Sequence, residues 1–242
     1  MSQPALYVIA TPIGNLEDLT QRARRILGEV DVLFAEDTRR SQKLLSHLGI
    51  RRPLIRCDER AEERAGRRAL EELNAGRSVA LLSDAGTPLI SDPGARLVGS
   101  IHEAGFAVVP IPGPSAVTTA ISASGFPGAP FVFYGFLPRK KGQRSKLLRE
   151  ISLDGKAAVF FESPQRIVAS VTELARWAPG RGVCVGRELT KMHEEILRGS
   201  AEDLARRLGA ARTIGEFTVV VAPLKKREIR QACRARAMMD EE

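Results

Sequence analysis

Ser83-Asp84-Ala85-Gly86-Thr87-Pro88 has the residue types that chemistry needs most plainly: a hydroxyl and a carboxylate side by side, set in a backbone that glycine and proline shape. It follows directly on Val79-Ala80-Leu81-Leu82, an apolar run without alternation, which reads as a core strand of a parallel sheet. The loop runs from Ser83 to Ser91, longer than the roughly 2–6 residues of an ordinary connection. Asp92-Pro93-Gly94 then restarts a helix, with Asp92 as expected N-cap and Pro93 in the first helical position. A long polar loop at the carboxyl end of a strand is where open α/β sheets bind ligands. Other predicted strand ends carry similar loops: TPIGN (11–15), AEDTRR (35–40), PGPSA (112–116), FFESPQR (160–166) and RELTK (187–191). Loops from several strand ends can converge on one cleft.

Familiar motifs are absent. No GxGxxG follows the first strand and no GxxxxGK[ST] occurs, which argues against a dinucleotide fold and a P-loop. Neither a GxSxG elbow nor an HExxH zinc motif is present. The cysteines Cys57, Cys184 and Cys233 lie far apart, and so do the histidines His47, His102 and His193, which supports neither a disulfide frame nor a metal site.

Strands and helices must alternate to position these loops, and the pattern predicts that they do. In the first half we expect strands at 6–10, 30–35, 53–56, 79–82 and 107–110. The intervening helices are expected at 16–28 (closed by Gly28), from about 38 to Gly49, at 59–75 with Gly76 as C-cap, and to about Ala104. Such alternation is that of a parallel α/β sheet. Residues 111–116, IPGPSA, read as an interdomain turn in which Pro114 begins the next helix. The second half carries predicted strands at 131–136, 157–161, 182–186, 193–198 and 216–222, with Ser163-Pro164 and Ser200 opening helices. The expected fold is therefore α/β in two α/β domains, 1–112 and 113–224, the first mostly parallel and the second mixed, followed by a basic tail at 225–242.

The chain has 242 residues, enough for a substantial core. Its net charge is +8, from 37 basic and 29 acidic residues, and this favours a polyanionic partner. The basic residues concentrate at 139–149, where Arg139, Lys140, Lys141, Arg144, Lys146 and Arg149 stand without an intervening acid. No apolar run approaches a membrane span and the N-terminus has no basic leader, so a cytoplasmic location is expected.

Taken in order, LYVIATPIGNLEDLT, VDVLFAEDTRRSQKLL, LLSDAGTPLISDPG, VPIPGPSA, FYGFLPR, FFESPQRI, RELTKMHEEILRG and GEFTVVV resemble the tetrapyrrole-methylase-type (class III) methyltransferases. Within them they are similar to the branch that methylates the 2′-oxygen of a cytidine in 16S ribosomal RNA. Ser83-Asp84-Ala85 stands where the wider family has a Gly-Asp-Pro-like turn, as that branch does, which counts against a porphyrinoid substrate. The resemblance implies S-adenosylmethionine as cofactor, held in the interdomain cleft. It implies a homodimer, and 16S rRNA within the small ribosomal subunit as partner. By motif position it puts Pro12, Leu82, Ser83, Asp84, Ser115, Ala116 and Phe161 at the cofactor, with Asp84 pairing to the cofactor's amino group and the Gly113-Pro114 helix start offering N–H groups. The reaction needs a base for the ribose hydroxyl. Glu36, Asp37, Glu162, Glu188 and Lys191 are the candidates, with Glu188 and Lys191 preferred as the catalytic pair and a structural ion pair as the alternative for them. Arg39, Arg139, Lys140, Lys141, Arg144 and Arg166 are the expected phosphate contacts. A porphyrinoid methyltransferase and a non-catalytic ribosome-binding protein are the competing readings.

Overall fold

In a computed structural model of the protein, residues 3–210, 213–224 and 228 are described. The rest of the expected basic tail at 225–242, with Cys233, lies outside the described residues. The chain divides into two units between Ser115 and Ala116.

In the first unit the short apolar runs become strands: β1 (Ala5–Ile9), β2 (Val32–Ala35), β3 (Leu54–Arg56), β4 (Val79–Leu82) and β5 (Ala107–Ile111). They pair in the order β3-β2-β4-β1-β5, every pairing parallel. Helices α1 (Gln21–Glu29), α2 (Thr38–His47), α3 (Glu62–Asn74) and α4 (Ala95–Glu103) cover both faces. Side chains alternate across the sheet. Val79 and Leu81 pack with Ala65, Ala69, Leu73, Leu97 and Ile101 of α3 and α4. Ala80 and Leu82 pack with Ala23, Ile26, Leu27 and Leu45 of α1 and α2. The chain runs one way across the sheet through β1, β2 and β3, then back through β4 and β5. Right-handed crossovers therefore place the two helix pairs on opposite faces, and the reversal is the point where such sheets bind ligands.

The helix expected at 16–28 begins later. Leu16–Asp18 is a 3₁₀ turn capped by Asn15, and Thr20 caps α1 by accepting the Ala23 N–H at 3.1 Å. Gly28 lies within α1 and does not end it. Asp92 and Pro93 do not open α4 either. Gly94, at φ +129°, precedes it, and a buried carboxylate from another helix does the capping: Glu62 accepts the Gly94 N–H at 3.0 Å and the Arg96 N–H at 2.5 Å.

The second unit starts with α5 (Ala116–Ser124), so Pro114 precedes that helix by two positions. It continues through β6 (Phe131–Phe136), α6 (Lys141–Leu153), β7 (Ala157–Glu162), α7 (Ile167–Trp177), β8 (Gly182–Arg187), β9 (Glu195–Ser200), α8 (Ala201–Ala210) and β10 (Phe217–Val221). The sheet order is β6-β7-β10-β8-β9, with β6 and β7 parallel and the remaining pairs antiparallel. One face packs on α6, α7 and α8 through Leu148, Ile151, Val171, Leu174, Leu204 and Leu208. Helix α5 lies against β10 and β8. Buried Arg181 closes the end of α6: its guanidinium donates to the carbonyls of Ile151 (2.7 Å), Ser152 (3.0 Å), Asp154, Lys156 and Ala222. An arginine buried this way satisfies carbonyls a helix end leaves unpaired.

Candidate functional site

Four loops of the first unit meet at the carboxyl ends of their strands, and Ser83–Gly86 is where they meet. Thr11, after β1, exchanges two backbone hydrogen bonds with Gly86, both 2.9 Å, and its hydroxyl donates to the Ser83 carbonyl at 2.9 Å. The Asp37 N–H, after β2, donates to Asp84 Oδ1 at 3.0 Å. The Thr87 hydroxyl donates to the Pro114 carbonyl at 3.2 Å, adding the loop after β5. Gly86 takes φ +84°, and a Cβ there would stand 3.3 Å from Ile13 Cγ2, so glycine answers both the turn and the close approach. Gly113 is similarly tight, its Cβ position 3.0 Å from Ala10 Cβ.

Inside the long loop, Ser83 is buried; its Oγ accepts the Ala85 N–H at 3.1 Å and donates to the Asp92 carboxylate. Leu89 and Ser91 adopt φ of +71° and +68°, which is strained for residues with a Cβ. Strain of this kind gathers at sites and switches.

The electrostatics are lopsided. Burial, and then the charges of Asp84, Asp92 and Glu59, raise the Glu36 carboxyl above its ordinary value, against the opposing pull of Arg40. Burial and Asp84 likewise raise Asp92, against its hydrogen bond from Ser83. Asp84 stands 3.7 Å from Arg40. Desolvation plus like charge is what tunes a carboxylate toward proton transfer near neutral pH. Nearby Cys57 is buried and its thiol is pushed up to about 12, so it is inert as a nucleophile.

Of the residues expected at the cofactor, Pro12, Leu82, Ser83, Asp84 and Ser115 belong to this unit and stand at its strand ends. Leu82 packs its side chain under α1 and α2, which leaves its backbone to face a ligand. Ala116 opens α5, and Phe161 sits at the end of β7. The Gly113-Pro114 helix start is corrected, since the helical N–H groups begin at Ala116.

In the second unit the preferred catalytic pair, Glu188 and Lys191, forms the ion pair that was its alternative. Lys191 Nζ lies 2.9 Å from both Glu188 Oε1 and Glu216 Oε2, and Glu188 Oε1 also accepts the Glu216 N–H at 2.9 Å. Burial alone would raise Glu188, but the bonds from Lys191 and Glu216 and the nearby positive charges outweigh it and hold the carboxyl below its usual range. Burial would lower Lys191, but its two acidic partners outweigh that and hold it up. Each shift opposes use as a base, and the group ties the turn at Glu188 and Thr190 (φ +49° and +64°) to the start of β10.

Two expected phosphate contacts are also turned inward. Arg144 is buried against Glu173, with Nε 3.5 Å from its carboxylate. Arg166 pairs with the buried Glu162 at 2.6 Å and donates to the Leu137 carbonyl at 2.9 Å. Glu162 also accepts from Ser170 Oγ at 2.7 Å and from the Ser163 N–H, so it is consumed by this network and is not available as a base. Arg39, Arg139, Lys140 and Lys141 are exposed, Arg39 beside Asp37. Sequence reasoning missed the Glu62 cap, the Ser83–Asp92 contact and Arg181. The signal for Glu62 was its helical spacing, which puts it on the face of Ala65, Ala69 and Leu73, whereas Glu63 faces solvent.

Residues 5–205 match the family model for Tetrapyrrole (Corrin/Porphyrin) Methylases. Over 217 residues the chain is 43% identical to ribosomal RNA small subunit methyltransferase I of Thermotoga maritima, covering 90% of this chain and 97% of that protein. It is 48% identical over 223 residues to the protein of the same description from Mesorhizobium japonicum, covering 91% of this chain and 76% of that one. Among solved structures it is similar to uroporphyrin-III C-methyltransferase from Thermus thermophilus complexed with S-adenyl homocysteine, with TM-score 0.62 and 20% identity, covering 90% and 97% of the two chains.

Proposed function

The chain belongs to the tetrapyrrole (corrin/porphyrin) methylase family, and from that premise we infer that it is an S-adenosylmethionine-dependent methyltransferase of 16S ribosomal RNA, the activity its relatives' descriptions indicate. We propose further that the methyl group goes to the 2′-oxygen of a cytidine and that the substrate is the assembled small subunit. The family resemblance supports a homodimer working in the cytoplasm. Among the described residues no helix is long and apolar enough to cross a membrane.

The observation that carries this reading is the knot of four loops around Ser83–Gly86. Its residues fit the cofactor. Asp84 offers a partly exposed carboxylate to an amino group: among the described residues it is bonded by the Asp37 N–H and faces Arg40 at 3.7 Å. Pro12, Ser83, Ser115 and the backbone of Leu82 would line the same end of the sheet. Ala116 and Phe161 complete the set the family implies. When bound, the cofactor supplies an electrophilic methyl group on a sulfonium centre.

The protein's own work is alignment and proton removal. Knotted loops hold their groups fixed without a rearrangement at the moment of reaction. We assign the base to Glu36: it would take the proton from the ribose 2′-hydroxyl as that oxygen receives the methyl group and the methyl's bond to the sulfonium sulfur breaks, leaving a neutral thioether. Glu36 stands beside Asp37, whose N–H bonds Asp84 in the knot, and its carboxyl is raised, whereas Glu188 is held by Lys191 and depressed. Exposed Arg39, Arg139, Lys140 and Lys141 are the proposed phosphate contacts, supplying salt-dependent affinity more than sequence choice.

The test is methyl transfer from labelled S-adenosylmethionine to small ribosomal subunits lacking the modification, with nuclease mapping of the product. Label on the ribose of one 16S cytidine is expected. Cofactor binding without label on RNA would move the activity to a porphyrinoid substrate.

A further inference from the structure

The β6 edge of the second unit holds an exposed ring, Phe136, that nothing above uses. Along a regular strand, residues three apart point to opposite faces. Here the ladder slips: Phe133 pairs with Val159 but Phe136 pairs with Phe161, three steps on β6 against two on β7. Gly135, at φ +64°, absorbs the extra residue. A bulge of this kind re-aims a side chain. It brings both phenylalanines onto the same ring: Phe133 lies 4.9 Å and Phe136 5.4 Å from Phe161, each edge to face. The inner rings are partly buried, while Phe136 is 59% exposed. A large ring this open gives up burial worth about 2 kcal/mol, so the fold alone does not call for it.

The residues just beyond indicate what the ring meets. Arg139, Lys140 and Lys141 are all exposed, and at most about 10 Å of extended chain separates Phe136 from Arg139. No acid occurs from Pro138 to Arg149. The segment between is pinned: buried Glu162 holds Arg166, which in turn holds the Leu137 carbonyl next to Phe136. A rigid aromatic face beside exposed cations matches an unstacked nucleobase and its flanking phosphates.

We propose that Phe136 is a base-stacking residue: its exposed face receives a splayed-out base of the RNA strand being methylated, while Arg139, Lys140 and Lys141 take the neighbouring phosphates. This rests on the reading of the protein as an rRNA methyltransferase. The bulge and the Glu162–Arg166–Leu137 chain hold the ring in place before RNA arrives, which reduces the ordering cost of binding.

The experiment compares wild type with Phe136→Ala, Phe136→Leu and Phe136→Trp in methyl transfer to unmodified small ribosomal subunits. Cofactor affinity is measured by calorimetry and oligomeric state by sedimentation. The alanine and leucine variants are expected to raise KM for the subunit roughly 5- to 100-fold, the range for loss of one stacked base. Cofactor affinity should change by less than KM does, since Phe136 reaches the cofactor set only through its edge-to-face contact with Phe161, and tryptophan should restore KM. A leucine variant equal to wild type, an alanine variant with unchanged KM, or an alanine variant that changes oligomeric state would each overturn the stacking role, the last by making the ring an interface between copies. Wild-type protein that puts no label on RNA would overturn the functional reading and this proposal together. Wild-type label with unchanged KM in the alanine variant overturns this proposal alone.

Discussion

The end of β2 and the turn after β8 look alike as sequence: AEDTRR and RELTK each set acids and bases at the carboxyl end of a strand. In the structure they are opposites. At Glu188 opposite charges meet: Lys191 bridges the carboxylates of Glu188 and Glu216, and Glu188 and Lys191 are each pushed toward the charged form. At Glu36 burial and the like charges of Asp84, Asp92 and Glu59 outweigh the pull of Arg40 and push toward the neutral form. A compensated cluster fastens a turn and has no tendency to exchange protons. A cluster dominated by like charge gives its carboxylate a greater affinity for a proton, as a general base requires.

The largest effect should come from Glu36→Gln. Loss of a general base predicts a fall in transfer rate of roughly 10²- to 10⁴-fold with cofactor affinity retained, read by single-turnover assay on small subunits. Glu36 must be ionised to act, so activity should drop as pH falls through its raised value. Asp92→Asn removes one of the charges that raise Glu36 and should move this acid limb to lower pH. An unmoved limb would detach Glu36 from the reaction.

Asp84→Ala should come next. Removing a charged hydrogen-bond partner predicts roughly 10- to 100-fold weaker S-adenosylmethionine binding by calorimetry, with the far-ultraviolet dichroism of the native fold retained. Undiminished affinity would remove Asp84 from the cofactor site and leave it as an anchor for Asp37 alone.

The smallest effect should follow Lys191→Met. For a partly exposed ion pair the expected loss is about 1 kcal/mol of stability in thermal unfolding. Transfer rate should stay within about fivefold of wild type, and the pH profile should be unchanged. A rate loss on the scale of Glu36→Gln would erase the contrast between the two turns.

Much of this was legible in the chain. Short apolar runs marked β1, β2 and β4, since a strand covered on both faces needs no polar alternation. Ser83 and Asp84 stood out because such residues follow a core strand where ligands bind. The helix starts at Gln21, Ala95 and Ala116 were less legible. At α4 the cap comes from Glu62, 32 positions away, so a reading of near neighbours assigns the task to Asp92. Arg144 and Arg166 looked like their exposed neighbours, because a charge run does not record which members meet a buried carboxylate.

The sequence by itself determined the alternation of strands and helices, the loops that carry polar groups at strand ends, and the family to which the motifs belong. Local patterning suffices there, because strand and helix periodicity and the chemistry of Gly, Pro, Ser and Asp in turns act over a few residues. Only the tertiary structure decided which charges are compensated, which arginines face inward, and that a one-residue slip at Gly135 turns Phe136 outward. Those outcomes depend on partners tens of residues away, and a group's charge state follows from the burial and neighbours that folding gives it.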